Sequence, residues 1–242
     1  MVAAAGEALL AARGRASGPE ADRLSNELIL SRLGEERPED AVLSEESADG
    51  PARLSSPRVW IVDPLDGTRE YSMARRSDWA VHVALWSAAA APPGLVAAAV
   101  AQPALGVVYS TAGPFPDPVG AAGVDSGSGR GLIVVVSESR PPAFAAAVAA
   151  DLGGTVATMG SAGAKTMAVL RGEADAYLHA GGQWEWDSAA PVGVALAAGL
   201  HASRIDGSPL EYNRPHPYLP DLLVCRASLA GTLLDSLRRR AG

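Results

Sequence analysis

Apolar residues recur every three to four positions near the start of the chain, over residues 2–13 and again over about 20–33. This spacing is typical of helices that bury one face. It predicts two helices, the second with a polar face that carries Asp22 and Asn26.

Beyond them the apolar residues come in short runs bounded by polar or Gly/Pro-rich turns, which is the pattern of β-strands. Two strands are predicted at "DAVLSEES" and "RVWIV", and an antiparallel meander at "WAVHVALWS", "GLVAAAVAQP" and "GVVYS". The first half of the chain is therefore predicted to be α+β with an antiparallel sheet.

A Pro-, Gly- and Ser-rich stretch without periodicity, residues 111–130, separates this half from the next. After it strands are predicted at "GLIVVVS", "TVATM", "ADAYLHA" and "LLVCRAS", and helices over about 142–152, 162–171, 188–199 and at the C-terminus. Such alternation predicts an α/β lobe. We therefore expect two lobes, 1–115 and 116–242, that pack as one compact unit.

Composition narrows the function. The chain has 242 residues, enough for a deep cleft, and a formal net charge of −7, which argues against a surface that binds nucleic acid.

No window approaches the roughly 18 uncharged apolar residues of a membrane span. The N-terminal stretch contains Glu7 and has no basic start, so it predicts a short helix rather than a signal peptide. Cys225 is the only cysteine, which excludes an intramolecular disulfide and predicts a buried core residue. Together these features predict a cytoplasmic protein without a membrane partner.

Five acids fall where a predicted strand stops or a predicted helix starts: Glu45, Glu46, Asp63, Asp66 and Asp187. Such positions hold functional side chains on a rigid scaffold. Converging carboxylates repel one another unless a cation lies among them, and oxygen ligands without His or Cys select hard ions such as Mg²⁺. The acids therefore predict a magnesium site in which Asp63 could bridge two ions.

The segment "WIVDPLDGTREYS" suggests how two of these acids come to face one point. Pro64 lacks an N–H and is expected to bend the chain out of the strand, which turns the Leu65 carbonyl away from sheet pairing. Gly67 permits close approach, and Thr68 is expected to begin a helix whose free N–H groups suit a phosphate. The simpler interpretation is that both acids only cap the turn and the helix. A covalent aspartyl-phosphate is not expected, since the D-x-D-G-T box of haloacid-dehalogenase phosphatases needs an acid where this chain has Pro64.

Three motifs in order, "LSEES", "WIVDPLDGTREYS" and "WEWDSAAPVGVALAAG", resemble the marks of the lithium-sensitive, magnesium-dependent inositol monophosphatase superfamily: a Glu-Glu pair, D-P-[IL]-D-G-T and W-D-x-A-A. The likeness spans nearly the whole chain, and the three motifs together are highly specific. Within the superfamily, "DPLDGTREYS", "SAGAKTMAVLRGEADAYLHAG" and "DGSPLEYN" most resemble the CysQ-type 3'(2'),5'-bisphosphate nucleotidases, particularly actinobacterial ones, which remove the 3'-phosphate of 3'-phosphoadenosine 5'-phosphate. The resemblance implies the layered αβαβα sandwich of the sugar phosphatases, with α+β and α/β parts.

The resemblance also implies a ligand set for the metals. Glu45, Asp63 and the Leu65 carbonyl would bind one Mg²⁺, and Asp63, Asp66 and Asp187 would bind a second. It implies that Mn²⁺ substitutes for Mg²⁺ and that Li⁺ inhibits.

Other roles follow from the same resemblance. Thr68 would orient the attacking water with Asp22 as its partner, and Glu46 would support a third, more weakly held metal and the water. The chemistry needs no histidine. His82 falls in a meander strand away from the predicted site, whereas His179 ends a strand close to it.

A nucleotide substrate needs contacts beyond the metals. The predicted substrate-binding residues are Gly67, Thr68, Ser137, Arg140, Ser161, Gly163 and Lys165. Lys165 is the only lysine of the chain and stands at the start of a predicted helix, where its ammonium and free backbone N–H groups could meet a ribose or a 5'-phosphate. The alternative is an exposed surface lysine.

We therefore expect a Mg²⁺-dependent phosphomonoesterase, a homodimer, that acts on a small phosphorylated substrate such as a 3'-phosphorylated nucleotide by metal-activated water. Inositol phosphate and fructose 1,6-bisphosphate are alternative substrates, although the inositol enzymes usually carry Asn-Phe after D-G-T. A non-enzymatic, metal-stabilised protein is a third interpretation, and the complete set of acids beside Thr68 argues against it.

Overall fold

Strands and helices follow the predicted alternation along the part of the chain that the computed structural model describes, residues 1–115 and 131–241. The helices there are α1 Val2–Ala12, α2 Gly18–Glu36, α3 Thr68–Tyr71, α4 Ala145–Asp151, α5 Ala162–Leu170, α6 Glu185–Ala197 and α7 Ala230–Ala241. The strands there are β1 Ala41–Ser44, β2 Arg58–Asp66, β3 Ala80–Ser87, β4 Gly94–Gln102, β5 Val107–Ser110, β6 Ile133–Ser137, β7 Thr155–Met159, β8 Ala176–Trp184, β9 His201–Ser203 and β10 Tyr218–Cys225.

The strands form two five-stranded sheets. The first has the order β1-β2-β3-β4-β5; β1 and β2 are parallel and the remaining neighbours are antiparallel, which confirms the predicted meander. The second has the order β7-β6-β8-β10-β9, in which β6 runs parallel to β7 and β8, and β10 runs antiparallel to β8 and β9.

Helices cover both sheets and fill the space between them. On the outer face of the first sheet lie α1 and α2, where Ile29 and Val62 belong to one buried cluster. Between the sheets lie α5 and α6, which contact strands of both. On the outer face of the second sheet lie α4 and α7, where Leu233 clusters with Val136. The five layers confirm the predicted αβαβα sandwich.

Several predicted boundaries were wrong. The β2 strand does not end at Pro64 but continues to Asp66, with an irregularity in its pairing to β3 between Asp63 and Asp66. Helix α6 begins at Glu185 rather than at residue 188, because the Asp187 carboxylate accepts a hydrogen bond that caps its first turn. The short strand β9 was not predicted.

The lobe boundary at residues 115 and 116 stays a prediction. Most of the linking stretch, 116–130, lies outside the described residues. Each sheet takes its strands from one side of that stretch. Over the described ranges, no helix combines the length and the apolar composition needed to cross a membrane.

Candidate active site

Three buried or half-buried carboxylates converge where β2 ends and α6 begins. Asp63, Asp66 and Asp187 each offer one oxygen, and these oxygens lie within 4.8 Å of one another. The first two acids come from the irregular end of β2 and the third from the first turn of α6. The structure thus brings together three of the five acids that the sequence singled out.

The irregularity in β2 aims Asp63 and Asp66 at the same space. Asp63 pairs with His82 across the sheet, whereas Asp66 pairs with Ala80, so one more residue lies between the pairs on β2 than on β3. Asp63 Oδ1 accepts a hydrogen bond of 3.0 Å from the Leu65 N–H, which closes the turn on itself. Through this turn both acids reach one point although two residues lie between them in the sequence.

The turn before α5 holds Asp66 in place. The Ser161 hydroxyl donates a short hydrogen bond to Asp66 Oδ2, and the Gly163 N–H donates a second at 2.7 Å to the same oxygen. A side chain at position 163 would collide with the His82 ring, so glycine is required by this close approach. Ser161 and Gly163 therefore act on the acid cluster, and Gly163 does not line the cleft described below.

Asp187 is held by its own helix. Its Oδ2 accepts a hydrogen bond of 2.6 Å from the Trp184 N–H at the start of α6. The Trp184 ring, 37% exposed, stacks on Trp186 with 5.4 Å between centroids.

Thr68 and Asp22 meet beside the cluster. The Thr68 hydroxyl lies 3.3 Å from Asp22 Oδ2 and 3.1 Å from the Leu65 carbonyl oxygen, so its single proton is shared between two acceptors. The predicted helix at Thr68 is confirmed but is a single turn, preceded by Gly67 with φ of 88°. Asp22 is buried in the face of α2 that the sequence marked as polar.

The Glu45–Glu46 pair lies in the turn after β1, at the rim of the acid cluster. The Glu45 N–H donates to the Val62 carbonyl at 3.2 Å, which places the residue beside the end of β2. Both side chains are exposed, and Glu45 falls outside the group of three acids within 4.8 Å. Although Glu45 is exposed as a residue, the atoms packed around its carboxyl group and the charges of Asp22 and Asp66 raise its pKa to about 7.

Burial and mutual repulsion raise the pKa values of the other acids too. Burial, then the charge of Glu46, raises the pKa of Asp22 to about 7. Burial, then Asp66, raises the pKa of Asp187 to about 8. Burial, then Glu45, raises the pKa of Asp63 well above its usual range.

The donor set fits a hard divalent cation. Asp63 Oδ2 and Asp22 Oδ1 are buried without a hydrogen-bond partner among the described residues. A cation among the three clustered carboxylates would satisfy Asp63 Oδ2 and offset the burial and the repulsion that raise the pKa values. Oxygen ligands of this kind are those that Mg²⁺ prefers.

His82 lies in the cluster, although the sequence did not place it there. Its Nε2 is 3.2 Å from Asp66 Oδ2, its Nδ1 is 3.9 Å from Asp63 Oδ2, and the ring is fully buried. Burial lowers the pKa of His82. The available signal was the pairing of β2 with β3, because a meander puts His82 directly opposite Asp63 once the register is known.

A cleft of about 220 Å³ opens from the acid cluster. Its lining consists of Asp66, Gly67, Thr68, Arg69, Glu70, Ser137, Ser139, Arg140, Gly160, Ser161, Ala162, Lys165, Tyr177, His179, Gln183 and Asp187. Six of the seven predicted substrate-binding residues are among them. The sequence analysis gave no role to Arg69, Glu70, Tyr177 or Gln183, although the first three lie within the motifs "DPLDGTREYS" and "SAGAKTMAVLRGEADAYLHAG".

Lys165 is buried in the wall of this cleft, so the alternative of a surface lysine was wrong. Its ammonium donates to the Gly160 carbonyl by a short hydrogen bond and to the Ser161 carbonyl at 2.8 Å, and it lies 5.0 Å from the centroid of the Tyr177 ring. Burial lowers the pKa of Lys165 to about 8, against the opposing charges of Asp66 and Asp187. The ammonium is thus held at a fixed position in the wall of the cleft.

His179 lies in the cleft wall, as its position near the predicted site suggested. It is 3% exposed, and neither ring nitrogen has a hydrogen-bond partner among the described residues. Burial, then the charges of Lys165 and Arg140, lowers the pKa of His179 to about 4, so the ring is neutral at physiological pH.

Comparison with known proteins gives one family and a consistent set of relatives. The model of the inositol monophosphatase family matches residues 12–239. A "3'-phosphoadenosine 5'-phosphate phosphatase" of Mycobacterium tuberculosis (strain CDC 1551 / Oshkosh) is 56% identical over 222 residues, 91% of this chain and 81% of the relative. The "3'(2'),5'-bisphosphate nucleotidase CysQ" of Escherichia coli (strain K12) is 32% identical over 203 residues, 82% of this chain and 80% of the relative.

Solved structures agree on the fold. The crystal structure of inositol monophosphatase II from Staphylococcus aureus MSSA476 superposes with a TM-score of 0.78, covering 99% of this chain and 93% of that chain. Its sequence identity is 20%, so the likeness concerns the fold alone.

Proposed function

The chain belongs to the inositol monophosphatase family, and we propose that it is a Mg²⁺-dependent phosphomonoesterase that removes the 3'-phosphate of 3'-phosphoadenosine 5'-phosphate or a related 3'(2')-phosphorylated nucleotide. The observation that carries the proposal is the joining of a three-acid cluster to a cleft that holds a fixed, buried ammonium. The relatives at 56% and 32% identity, both named for the phosphatase or nucleotidase reaction, support the nucleotide.

The acids would hold two Mg²⁺ ions. Glu45, Asp63 and the Leu65 carbonyl would bind one, and Asp63, Asp66 and Asp187 the other, with Glu46 supporting a weaker third. The Leu65 carbonyl accepts a hydrogen bond from Thr68, and it remains at the end of β2 beside the acids. When bound, the ions would activate the attacking water and neutralise the leaving oxygen of the ester. We propose that Mn²⁺ substitutes and that Li⁺ inhibits.

Thr68 and Asp22 would position the nucleophile. The Thr68 hydroxyl has one proton and two acceptors within 3.3 Å, so Asp22 can take that proton's hydrogen bond and turn the oxygen lone pairs toward water. Since Asp22 Oδ1 is buried and unpartnered, it can accept a further hydrogen bond from that water.

The cleft residues would bind the rest of the nucleotide. Gly67, Ser161 and Lys165 line the cleft, where the first two would border the reacting phosphate and the Lys165 ammonium would meet the rest of the nucleotide. Ser137 and Arg140 also line the cleft, and the Arg140 guanidinium has no ion-pair partner among the described residues, so it would be available for the second phosphate.

A phosphate-release panel tests the proposal. It compares 3'-phosphoadenosine 5'-phosphate, 2'- and 3'-nucleotides, inositol 1-phosphate and fructose 1,6-bisphosphate, each with Mg²⁺ and with added Li⁺. A preference for an inositol or fructose ester above about tenfold in kcat/KM, or about 1.4 kcal/mol in transition-state binding, would contradict the nucleotide assignment. Activity that survives complete removal of divalent ions would contradict the metal site.

The proposed contact between Lys165 and the nucleotide is tested separately. Lys165→Ala should raise KM for the bisphosphate about tenfold or more, because a desolvated cation that faces an anion contributes more than an exposed one. Unchanged KM and kcat would show that the ammonium does not serve the substrate. We also propose a cytoplasmic homodimer, which light scattering and cell fractionation would check.

A further inference from the structure

A buried arginine joins two segments that carry acids of the site but lie far apart in sequence. Arg53, in a short 3₁₀ helix at Pro51–Ser55, is 3% exposed. Its Nε and Nη2 donate to Asp49 at 2.7 and 3.0 Å. Asp49 stands four residues after Glu45, so this fork closes the loop that begins with the Glu45–Glu46 turn.

The other side of the same guanidinium reaches the second half of the chain. Nη1 donates to Asn213 Oδ1 at 2.7 Å, and Nη2 donates to the Arg214 carbonyl at 2.8 Å. Four acceptor contacts on one buried arginine leave it a single orientation, because the guanidinium is a rigid planar fork.

Glu185 binds the same two residues, Asn213 and Arg214, through their backbone N–H groups. Its carboxylate accepts the Asn213 N–H at 2.6 Å and the Arg214 N–H at 2.8 Å, and the residue is 1% exposed. Asn213 is held at φ of 61°, a left-handed conformation unusual for a residue with a side chain. Glu185 is the first residue of α6, two before Asp187. Its backbone N–H is also fixed, by the Pro217 carbonyl at 2.8 Å.

We propose that Arg53 is a positioning residue for the metal site: through Asn213 and Glu185 it fixes the Glu45 loop relative to the start of α6, and so sets the spacing between the acids of the two segments. The inference rests on the metal-binding part of the proposed function. The four hydrogen bonds of Arg53 go to Asp49, Asn213 and Arg214 and not to the proposed metal ligands. The charge of Arg53 also acts on two acids, directly in the ion pair with Asp49 and at longer range on Glu185.

Metal binding without substrate tests this role. Mn²⁺ uptake by the full chain is measured calorimetrically for the wild type, Arg53→Lys and Asn213→Gly. Lysine keeps the charge but cannot serve four acceptors at once. Glycine tolerates the left-handed backbone and keeps both bonds to Glu185, while it removes only the side-chain acceptor of Arg53.

The matched control is Arg204→Lys. Arg204 makes an equally close fork to Asp221, at 2.7 and 2.6 Å, but that pair lies within the second sheet and its adjoining turn. We expect Arg53→Lys and Asn213→Gly to weaken Mn²⁺ binding about tenfold or more, as changes in residues behind metal ligands do, and Arg204→Lys to change it by less than about twofold. At saturating Mg²⁺ the two variants should regain turnover, whereas the half-saturating Mg²⁺ concentration stays raised.

Other results would overturn the proposal. If both variants bind Mn²⁺ with wild-type affinity and show only a lower Tm in EDTA, Arg53 contributes to stability but does not position the metal ligands. Equal weakening by Arg204→Lys would show a non-specific effect. If Arg53→Lys fails to fold, Asn213→Gly alone decides. An absence of Mn²⁺ binding by the wild type would instead refute the metal site of the proposed function.

Discussion

The replacement of Asp63 by asparagine should abolish activity and yet stabilise the metal-free protein. Asparagine has the same shape, and its side-chain oxygen can still accept the Leu65 N–H that Asp63 Oδ1 accepts at 3.0 Å. What disappears is one negative charge from a cluster whose oxygens lie within 4.8 Å of one another.

The size of the effect follows from that distance. At 4.8 Å and an effective dielectric constant of about 20, two unit charges repel by about 3.5 kcal/mol, so the two pairs that Asp63 makes would contribute about 7 kcal/mol if all three acids were fully charged. Proton uptake relieves much of this repulsion, because burial and the neighbouring acids raise the pKa of Asp63 and raise that of Asp187 to about 8. We therefore expect a gain of about 2 kcal/mol in the free energy of unfolding, within the range found when a strained functional site is relieved. For a chain of this length that is a rise in Tm of about 4–8 °C.

Thermal unfolding in EDTA and in saturating Mg²⁺ measures both halves of the prediction. The wild type should gain stability from Mg²⁺, and Asp63→Asn should lose most of that gain together with at least about 10³-fold in kcat/KM, or about 4 kcal/mol. The control is Asp40→Asn. Asp40 accepts from Arg58 at 2.8 Å and from the Trp60 indole at 3.0 Å, so its loss should lower Tm in both conditions and leave the Mg²⁺ response intact. A fall in Tm of Asp63→Asn in EDTA, or an undiminished response to Mg²⁺, would refute the reasoning.

Three further predictions concern Thr68, Gly163 and Cys225. Thr68→Ala should lower kcat about 10²-fold while Mn²⁺ affinity is kept, and Thr68→Ser should restore most of the rate because serine retains the hydroxyl that faces Asp22; equal loss in both would contradict the hydroxyl's role. Gly163→Ala should drive a methyl group into His82 and cost about 1–3 kcal/mol of stability with loss of Mn²⁺ affinity; a variant with wild-type Tm and affinity would mean that the turn adjusts freely. Burial raises the pKa of Cys225 to about 12, so a thiol reagent should label it only after unfolding, since the thiolate is the reactive form; labelling of the native protein at mildly alkaline pH would show that β10 opens.

The sequence predicted the acids well because each lies at the end of a strand or the start of a helix, and local patterns along the chain reveal such positions. Asp63 and Asp66 follow an apolar strand, and Asp187 precedes a predicted helix, so element ends could be found without tertiary information. Their convergence was a chemical inference from charge repulsion. Its confirmation to within 4.8 Å depends on the irregular end of β2, which the sequence suggested only as a bend at Pro64.

Residues whose role depends on pairing or burial were beyond reach. His82 became part of the site through the register of β2 and β3, which periodicity does not specify. Lys165 was open between surface and cleft, since a lysine in isolation is most often solvated and only the packing around α5 buries it. Arg53 carried no signal at all, because its partner Asn213 is 160 residues away along the chain.

The packing of α5 limits how this enzyme can diverge. Every residue from Ala162 to Leu170 is buried, and the turn that precedes it binds Asp66. A substitution in α5 that changes the preferred ester would therefore also disturb the acid cluster, because the helix positions the turn that binds Asp66. Natural variants that prefer a different ester should instead differ at the rim of the cleft, at positions such as Ser139 and Arg140. These residues are exposed, so they can be replaced without disturbing the buried acids.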